Sequence, residues 1–412
     1  MATVRPFKAV RPNEKAAHEV ASLPYDVMSS EEAREQFKNK PLSFMYVDRA
    51  EIDLPEDMNH YVPEVYEAAA ARLNGQIADG TFIQDAAPCF YVYRQIMDGR
   101  AQTGIVGCAS IDEYMNNTIK KHEKTRADKE EDRVNHVDFL DANTGPIFLT
   151  YKASKDIDAV VAKAMEGTPV YDFDFDGVQQ TVWVMDDAAD IAAISGAFTK
   201  VPAMYIADGH HRNASAVRVG RKRRAQNPGF TGNEEFNYYL AVFFPDDQLY
   251  IMDYNRLVAD LNGLTEAQFM DKLADKWTVQ ESAPQPKMTT RHTCAMYLSG
   301  KWYTLTAKEG TYNDADPVAS LDVQILHDNL LAPILNIGDP RTETRIDFVG
   351  GIRGLQELER RVAEGMKVAF AMCPTSIQEL IDIADAGLLM PPKSTWFEPK
   401  LLSGLFVHKL KD

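Results

Sequence analysis

The sequence has few cysteines and no long apolar run, and each absence excludes a class of protein. Cys89, Cys108, Cys294 and Cys373 stand far apart, without a pair at CxxC spacing. This spacing favours neither a disulfide framework nor a cysteine-based zinc site. No stretch approaches the roughly 18 uninterrupted apolar residues of a membrane-spanning helix, and the charged segment 1–15 lacks the apolar core of a secretory signal. We therefore expect a cytoplasmic protein that has no membrane partner.

Positive charge is also scarce. Lys and Arg number 44 against 61 Asp and Glu, which gives a net charge of -17. Sequence-independent binding of nucleic acid depends on Lys and Arg to neutralise phosphates, so this balance argues against nucleic acid as a partner. A chain of 412 residues has room for two or three domains. We predict two, residues 1–255 and residues 256–412, and leave open whether the chain forms a homo-oligomer.

Several well-known catalytic motifs are missing. The sequence contains no HExxH zinc motif, no G-x-S-x-G nucleophile turn and no G-x-G-x-x-G dinucleotide motif. Turn chemistry explains Gly350–Gly354, and Lys393–Thr395 lacks the upstream glycines of a phosphate-binding P-loop. These absences remove the usual signals for a zinc protease, a serine hydrolase or a Rossmann dinucleotide site.

Three pairs of apolar runs are predicted to form β-hairpins. They flank Asp98-Gly99, Pro245–Asp247 and Ser299–Lys301, and Asp-Gly is the strongest of these turn signals. Hairpins pair strands in antiparallel fashion, which argues against a purely doubly wound parallel sheet. Since helical periodicity alternates with the strands, we expect an α+β (mixed α/β) fold. The paired runs are 89–95 with 103–111, 239–244 with 249–253, and 293–298 with 302–306.

A different unit lies between the first two hairpins. Val182–Met185 is predicted to be a strand, and Asp187 is predicted to cap the helix that follows. Val201–Ile206 is a short apolar run typical of a buried strand. The polar loop 208–212 comes next, and a further helix is predicted to start near Ala214. The order is therefore strand, helix, strand, polar loop, helix.

The polar loop is the clearest candidate for chemistry. Gly209 lets the backbone approach a ligand, and a helix start offers N–H groups to an anion. Arg212 can bind phosphate oxygens through two parallel hydrogen bonds, and an imidazole of His210 or His211 can move a proton near neutral pH. Asp208 can orient an imidazole, hold Mg²⁺ or accept a proton from a hydroxyl group.

The same loop also has a plain structural interpretation. Asp208 would then cap the helix, and the two histidines would cover surface. Adjacent histidines point in different directions, so at most one of them needs to be catalytic. A metal site built from His210 and His211 alone is not predicted, because adjacent residues rarely chelate one ion and no HxxxH spacing is present.

A second concentration of charge runs from Ile119 to Arg126 and continues to Arg133. It surrounds one histidine, His122, and one glutamate, Glu123, with cationic side chains. Such a cluster can bind a phosphorylated substrate, with the glutamate as a base. Equally, it fits a solvated helix with weak ion pairs between residues three or four positions apart.

Four segments of the chain together resemble one bacterial and archaeal family. The segments are Pro24–Val27, the box His122–Thr125 with Asp132-Arg133, the box Asp208–Arg212, and the tail Met390–Leu401. Their combination resembles the family called domain of unknown function ten-fifteen over nearly the whole chain. Membership of this family would say little about activity.

The unit from Val182 to Val217 is also similar to the core of the ParB/sulfiredoxin superfamily, which includes sulfiredoxins, CTP-hydrolysing ParB proteins and free serine kinases. In that superfamily a Gly-x-x-Arg turn and the following helix start hold nucleotide phosphates. The serine kinases carry a similar Asp-Gly-His-x-Arg box, and the resemblance to them covers about half the chain. It implies catalytic roles for Asp208 and His211, phosphate binding by Arg212, and Glu123 as the base. Sulfiredoxin has a cysteine where this chain has histidines, so sulfinic-acid reduction is not implied.

These resemblances suggest phosphoryl transfer, in either direction, between a nucleotide and a small hydroxylated metabolite. ATP or ADP is the expected nucleotide, free L-serine is the best guess for the metabolite, and Mg²⁺ is expected on Asp208. One alternative is a nucleotide-gated (CTP or ATP) ParB-like binding protein, for which Arg221–Arg224 is the basic run. Another is a catalytically idle homologue kept for assembly. The residues expected to bind phosphate or nucleotide are Gly209, His210, Arg212, Lys121, His122, Arg126 and Arg133.

Overall fold

The computed structural model describes residues 1–411. Contacts divide the chain into two compact units, of which the first comprises Met1–Leu249 and the chain from Pro399 onward. The second unit comprises Tyr250–Glu398. The segment that begins at Pro399 returns to the first unit, and the predicted domains 1–255 and 256–412 remain a prediction. There β21 (His408–Lys409) pairs with β7 (Ala142–Asn143) in a small two-stranded sheet of the first unit.

The regular elements alternate between strands and helices along the chain. The strands are β1 (Val4–Arg5), β2 (Val10–Pro12), β3 (Phe82–Gln84), β4 (Phe90–Met97), β5 (Arg100–Ser110), β6 (Ile119–Lys120), β7, β8 (Ile147–Tyr151), β9 (Tyr171–Phe175), β10 (Val178–Met185), β11 (Met204–Asp208), β12 (Tyr238–Pro245), β13 (Ile251–Met252), β14 (Tyr254–Val258), β15 (Trp277–Glu281), β16 (Thr293–Leu298), β17 (Lys301–Ala307), β18 (Ile346–Gly350), β19 (Val368–Met372), β20 (Trp396–Phe397) and β21. The helices are α1 (Ala17–Val20), α2 (Ser30–Phe37), α3 (Met45–Asp48), α4 (Pro63–Ala78), α5 (Ile111–Met115), α6 (Ala127–Leu140), α7 (Lys155–Ala164), α8 (Ala188–Phe198), α9 (His210–Gln226), α10 (Glu266–Leu273), α11 (Asp322–Leu326), α12 (Leu355–Ala363) and α13 (Ile377–Asp385).

The first unit is built on a mixed sheet. Its strand order is β6-β11-β8-β12-β5-β4-β10-β9, and β1 pairs with β5. The pairs β11–β6 and β12–β8 are parallel, whereas the remaining pairs are antiparallel. The second unit has its own sheet, in the order β15-β17-β16-β19-β14-β18, and every pair in it is antiparallel. The expected α+β (mixed α/β) class is therefore confirmed.

The core of the first unit forms where α7, α8 and α9 cover one face of the mixed sheet. Ile157 of α7, Phe198 of α8 and Val217 of α9 are buried in one cluster with sheet residues such as Leu149 and Ile206. Burying a large apolar side chain of this kind contributes roughly 1.5–3 kcal/mol. The start of α9 is consequently held against the sheet from which β11 emerges.

The sequence pattern correctly gives two hairpins and the unit around the polar loop. Asp98 and Gly99 both adopt positive φ between β4 and β5, as a two-residue hairpin turn requires. The third predicted hairpin forms between β16 and β17. The order β10, α8, β11, α9 matches the predicted strand, helix, strand, loop, helix, with Asp187 accepting from the N–H groups of Ala189 and Asp190.

The second predicted hairpin is wrong. Its first strand, β12, lies between β5 and β8 in the mixed sheet, and its second strand, β13, pairs with β20. The turn residues Asp246–Gln248 form a short 3₁₀ turn. A Pro-Asp-Asp sequence lacks the glycine that a tight hairpin turn demands, so the chain leaves the sheet there.

Among residues 1–411, we find no helix that is both long enough and apolar enough to cross a membrane.

The packing of α9 leads to a stability prediction. A Cβ atom on Gly220 would lie 2.5 Å from the backbone oxygen of Phe236, whereas Gly196 in α8 has nothing within 4 Å. Alanine is ordinarily better than glycine inside a helix by about 1 kcal/mol, but overpacking costs about 1–3 kcal/mol. We expect Gly220→Ala to lower the free energy of unfolding and Gly196→Ala to keep or raise it. Denaturant titrations followed by circular dichroism compare the two, and a Gly220→Ala protein as stable as Gly196→Ala would contradict this packing.

Candidate functional site

The site begins at a sharp turn between β11 and α9. Gly209 adopts φ 88° and ψ 32°, a left-handed conformation, and is the single residue between the strand and the helix. A Cβ atom there would lie 3.2 Å from Nε of Arg212. Position 209 therefore requires glycine for two reasons: the backbone is left-handed, and the Arg212 guanidinium leaves little room for a Cβ atom. The predicted loop is shorter than expected, because His210, His211 and Arg212 form the first turn of the helix.

Asp208 ends the strand and faces a cation from the other end of the chain. Its Oδ2 accepts from Nζ of Lys400 at 3.0 Å, and its Oδ1 accepts from the backbone N–H of Gly209 at 2.8 Å. Burial by itself raises the pKa of an acid, but the positive charges of Lys400 and Arg212 hold the pKa of Asp208 well below its ordinary value. Asp208 is therefore ionised at neutral pH, and both of its oxygens already accept hydrogen bonds.

Two buried imidazoles and a carboxylate lie beside the helix start. The rings of His122 and His210 meet edge to face, with 4.5 Å between centroids. Oε2 of Glu123 lies 3.8 Å from Nδ1 of His210. Burial lowers the pKa of His122 to about 4, and burial together with His122 lowers the pKa of His210 well below its ordinary value. Both imidazoles are therefore neutral at pH 7 and can donate a lone pair.

His211 connects the two sequence boxes. Its Nε2 accepts from the backbone N–H of Arg126 at 3.1 Å. Since Nε2 accepts, the proton of the neutral ring belongs on Nδ1. Ser215, one turn along α9, adds a second link by donating to the backbone oxygen of Glu130 at 3.0 Å. These two hydrogen bonds hold the segment after β6 against α9. We propose that His211 positions this segment.

Arg212 points inward. Its Nη1 donates to the backbone oxygen of Pro146 at 2.7 Å, and its Nε is buried without a hydrogen-bond partner in the described part of the chain. Burial by itself lowers the pKa of Arg212, but the charges of Asp26 and Asp208 raise it above the ordinary value. A guanidinium held in this way braces the Gly209 turn from behind, and it has an N–H group to spare for an anion.

A polar cavity of about 240 Å³ lies in the first unit, and Asp208, His210, Arg212 and Glu123 are not among the residues that line it. Arg133 borders it, paired with Asp132 at 2.9 Å and stacked over the Tyr25 ring at 4.1 Å. Tyr25, Arg133 and two other residues, Asp48 and His136, also line a smaller cavity of about 20 Å³ that Arg212 borders. The two cavities therefore share a wall, to which Arg133 contributes a positive charge and Asp48 a carboxylate.

The remaining predicted phosphate ligands are engaged elsewhere. Nζ of Lys121 lies 4.1 Å from the centroid of the Tyr114 ring, and burial lowers its pKa. The guanidinium of Arg126 pairs with Asp128 at 2.8 Å on the surface. The structure therefore brings together Asp208, His210, His122 and Glu123, while the side chains of Lys121 and Arg126 make other contacts. Their roles in binding phosphate remain predictions.

Sequence reasoning did not single out Lys400 as a site residue. The signal was present only as a resemblance, since Lys400 lies in the tail segment Met390–Leu401 and Tyr25 lies in Pro24–Val27. No local pattern links Lys400 to Asp208, because 192 positions separate them. Only the return of the chain to the first unit brings the two charges together.

The oxygen ligands near Asp208 do not by themselves fit Mg²⁺. This ion prefers oxygen ligands in octahedral geometry and is usually held by one or two carboxylates. Each oxygen of Asp208 already accepts a hydrogen bond from Lys400 or Gly209. The one group of metal-binding side chains found among the described residues is His122, Glu123 and His210, which is rich in nitrogen.

The Gly209 turn gives a testable pair of variants. Gly232 also has positive φ, at 93°, but its Cβ position is open. An alanine in the left-handed region costs about 1–2 kcal/mol. We expect Gly232→Ala to lose about this much stability, and Gly209→Ala to lose more because Arg212 must also move. Chemical denaturation measures both losses, and equal losses would show that Arg212 does not brace the turn.

Comparisons with known proteins agree with the sequence resemblance at the family level. A family model described as protein of unknown function DUF1015 matches residues 4–324, which leaves the tail outside the matched range. No curated protein matches the chain.

Solved structures give distant matches. A mutant free serine kinase in complex with ADP has a TM-score of 0.38 and 12% identity, and the match covers 75% of this chain and 95% of that one. Free serine kinase in complex with AMP gives 0.35 and 12%, covering 72% and 91%. A conserved hypothetical protein from Pyrococcus furiosus gives 0.34 and 14%, covering 72% and 94%. Likenesses this distant do not decide what this chain binds. The family match, which spans well over half of the sequence, does decide its family: the chain belongs to the DUF1015 family.

Proposed function

We propose that this protein transfers a phosphoryl group between a nucleotide and a small hydroxylated metabolite, with free L-serine as the first candidate. The observation that carries the proposal is the start of α9, an uncapped helix end set beside an ionised acid, a lysine and two neutral imidazoles. The resemblance of the box Asp208–Arg212 to that of serine kinases motivates the choice of reaction.

The start of α9 has the properties of a phosphate site. No side chain caps the helix at Gly209. The first hydrogen bond within the helix runs from the N–H of Asn213 to the oxygen of Gly209, so the N–H groups before Asn213 have no acceptor within the helix. Such groups, together with the positive end of the helix dipole, bind anions. The ammonium group of Lys400 adds a positive charge on the strand side, where it contacts Asp208.

The proposed step needs a proton acceptor as well as an anion site. A bond forms between the hydroxyl oxygen of the acceptor and the terminal phosphorus of the nucleotide, and the bridging P–O bond breaks, so that the shortened nucleotide leaves. The hydroxyl proton passes to the carboxylate of Glu123, whose side chain is 38% exposed and can reach a ligand. Asp208 suits this role less, because a carboxylate with so low a pKa is a weak base.

The cavity beside Arg133 suits a small zwitterion. Charges of both signs line it, including the pairs Arg133 with Asp132 and Arg49 with Glu51. An amino acid presents an ammonium and a carboxylate, so it can exchange partners with both pairs. About 240 Å³ accommodates a molecule of the size of serine but not a nucleotide as well. This is the reason to place the acceptor, and not the phosphate donor, in this cavity.

Three of the four cations in the basic run of the nucleotide-gated alternative are paired within the protein. Lys222 pairs with Asp138 at 2.6 Å, Arg223 with Asp138 at 2.9 Å, and Arg224 with Asp112 at 2.6 Å. A surface that binds nucleic acid needs cations directed at phosphates. These ion pairs favour the phosphotransfer reaction over the nucleotide-gated binding protein.

The test is a search for the phosphorylated product. The purified chain is incubated with Mg²⁺ and ATP, ADP, CTP or pyrophosphate, in the presence of hydroxyl metabolites that include serine. Phosphorus NMR and mass spectrometry follow both directions of reaction. A positioned proton acceptor typically contributes about 100- to 10,000-fold in rate. We expect a product whose formation falls by roughly this factor in Glu123→Gln, and falls as well in Asp208→Asn because Lys400 loses the carboxylate that positions it.

Lys222→Ala provides the matched control, because this residue lies on the same helix but at its far end, paired with Asp138. We expect it to form product at the wild-type rate. Nucleotide binding without any product, together with salt-dependent retention of DNA that Lys222→Ala weakens, would replace the proposal with the nucleotide-gated binding protein.

A further inference from the structure

Three side chains beside the helix start lie in the arrangement of a metal site. One ligand atom each from His122, Glu123 and His210 lies within 4.8 Å of the others. The imidazoles are 2% and 6% exposed, and Glu123 closes the group on the more open side. His122 and Glu123 are adjacent in the segment after β6, but the third residue, His210, comes from the start of α9, so the group is not an adjacent pair alone.

The imidazoles also lack partners. Among the described residues, neither ring nitrogen of His122 nor Nε2 of His210 has a hydrogen-bond partner. A buried polar atom without a partner costs about 1–3 kcal/mol, so three such atoms in one place are a substantial strain on the fold. Imidazole nitrogens that have no hydrogen-bond partner can present their lone pairs to a metal ion. A bound cation would satisfy two of them at once.

We propose that His122, Glu123 and His210 bind one divalent transition-metal ion of the zinc type. Two imidazoles and one carboxylate form a donor set that zinc takes in catalytic sites, with a fourth position open to water or substrate. Magnesium and calcium prefer sites made of oxygen atoms, so they do not fit here. This metal differs in both chemistry and ligands from the Mg²⁺ expected on Asp208.

Binding requires only a small closure of the site. Zinc binds nitrogen and oxygen ligands at about 2.0–2.2 Å, which places tetrahedral ligand atoms roughly 3.3 Å apart. The three ligand atoms must therefore approach one another by up to about 1.5 Å, starting from within 4.8 Å. Glu123, which is the most exposed of the three, can supply much of this movement. One of its oxygens would hold the ion, and the other would remain for the hydroxyl proton of the proposed reaction.

The test measures metal binding without nucleotide. The full chain is stripped of metal with a chelator and titrated with Co²⁺ alone, followed by visible absorption, and with Zn²⁺ alone, followed by calorimetry. We expect one ion per chain, an absorption band of tetrahedral cobalt, and no competition by excess Mg²⁺. Loss of one ligand should weaken binding by roughly 100-fold, as expected for Glu123→Gln and His210→Asn.

Two controls separate the site from its neighbours. His211→Asn changes the adjacent histidine, whose Nε2 faces the backbone of Arg126, and should bind the ion as the wild type does. Asp208→Asn removes the carboxylate expected to hold Mg²⁺. This variant should also bind Co²⁺ or Zn²⁺ as the wild type does. Glu123→Gln keeps the volume of a half-exposed side chain, so it tests the site even where a histidine variant fails to fold.

Equal affinity in wild type, Glu123→Gln and His210→Asn would overturn the metal site, as would the absence of a one-to-one complex. The outcome is independent of the proposed phosphotransfer, because the titration contains no nucleotide and no acceptor. A chain that binds zinc as expected but forms no phosphorylated product would keep the metal site and refute the reaction.

Discussion

The arrangement of the site depends on one backbone turn, the left-handed Gly209 between β11 and α9. It lets the chain pass from strand to helix with a single residue, so Asp208 and His210 face a common space from opposite sides of the turn. The core between α9 and the mixed sheet holds both elements in place. Arg212 fills the room behind Gly209 that any other side chain would occupy. The positions of Asp208 and His210 therefore depend on how Arg212 packs against Gly209.

The charges around the turn explain why the site keeps separate protonation states at neutral pH. Asp208 is held ionised by Lys400 and Arg212, although burial opposes it. Burial holds both imidazoles neutral, and His122 further lowers the pKa of His210. A site that gathers an anion, a cation and neutral lone pairs around one strand-turn-helix can bind phosphate on one side and a metal ion on the other. This separation of roles underlies both proposals.

Local sequence patterns were sufficient where local physics decides the structure. The Asp98-Gly99 hairpin and the capping of α8 by Asp187 follow from turn angles and N–H groups within a few residues. Local patterns could not show that β12 pairs with β8 and β13 with β20, because strand pairing depends on contacts between residues far apart in the sequence. For the same reason the contact of Lys400 with Asp208, and the meeting of His122 with His210, could not be read from spacing. The boxes named candidate residues whose roles remain predictions, and the fold supplied their partners.

The central claim is that the N–H groups at the start of α9 bind the phosphates of a nucleotide. Hydrogen–deuterium exchange of the intact chain, with and without saturating ATP, tests this most directly. The account predicts that ATP slows exchange in the peptide that covers Asp208–Asn213, since N–H groups that bind an anion are shielded from solvent. Slower exchange elsewhere, with no change in this peptide, would contradict it.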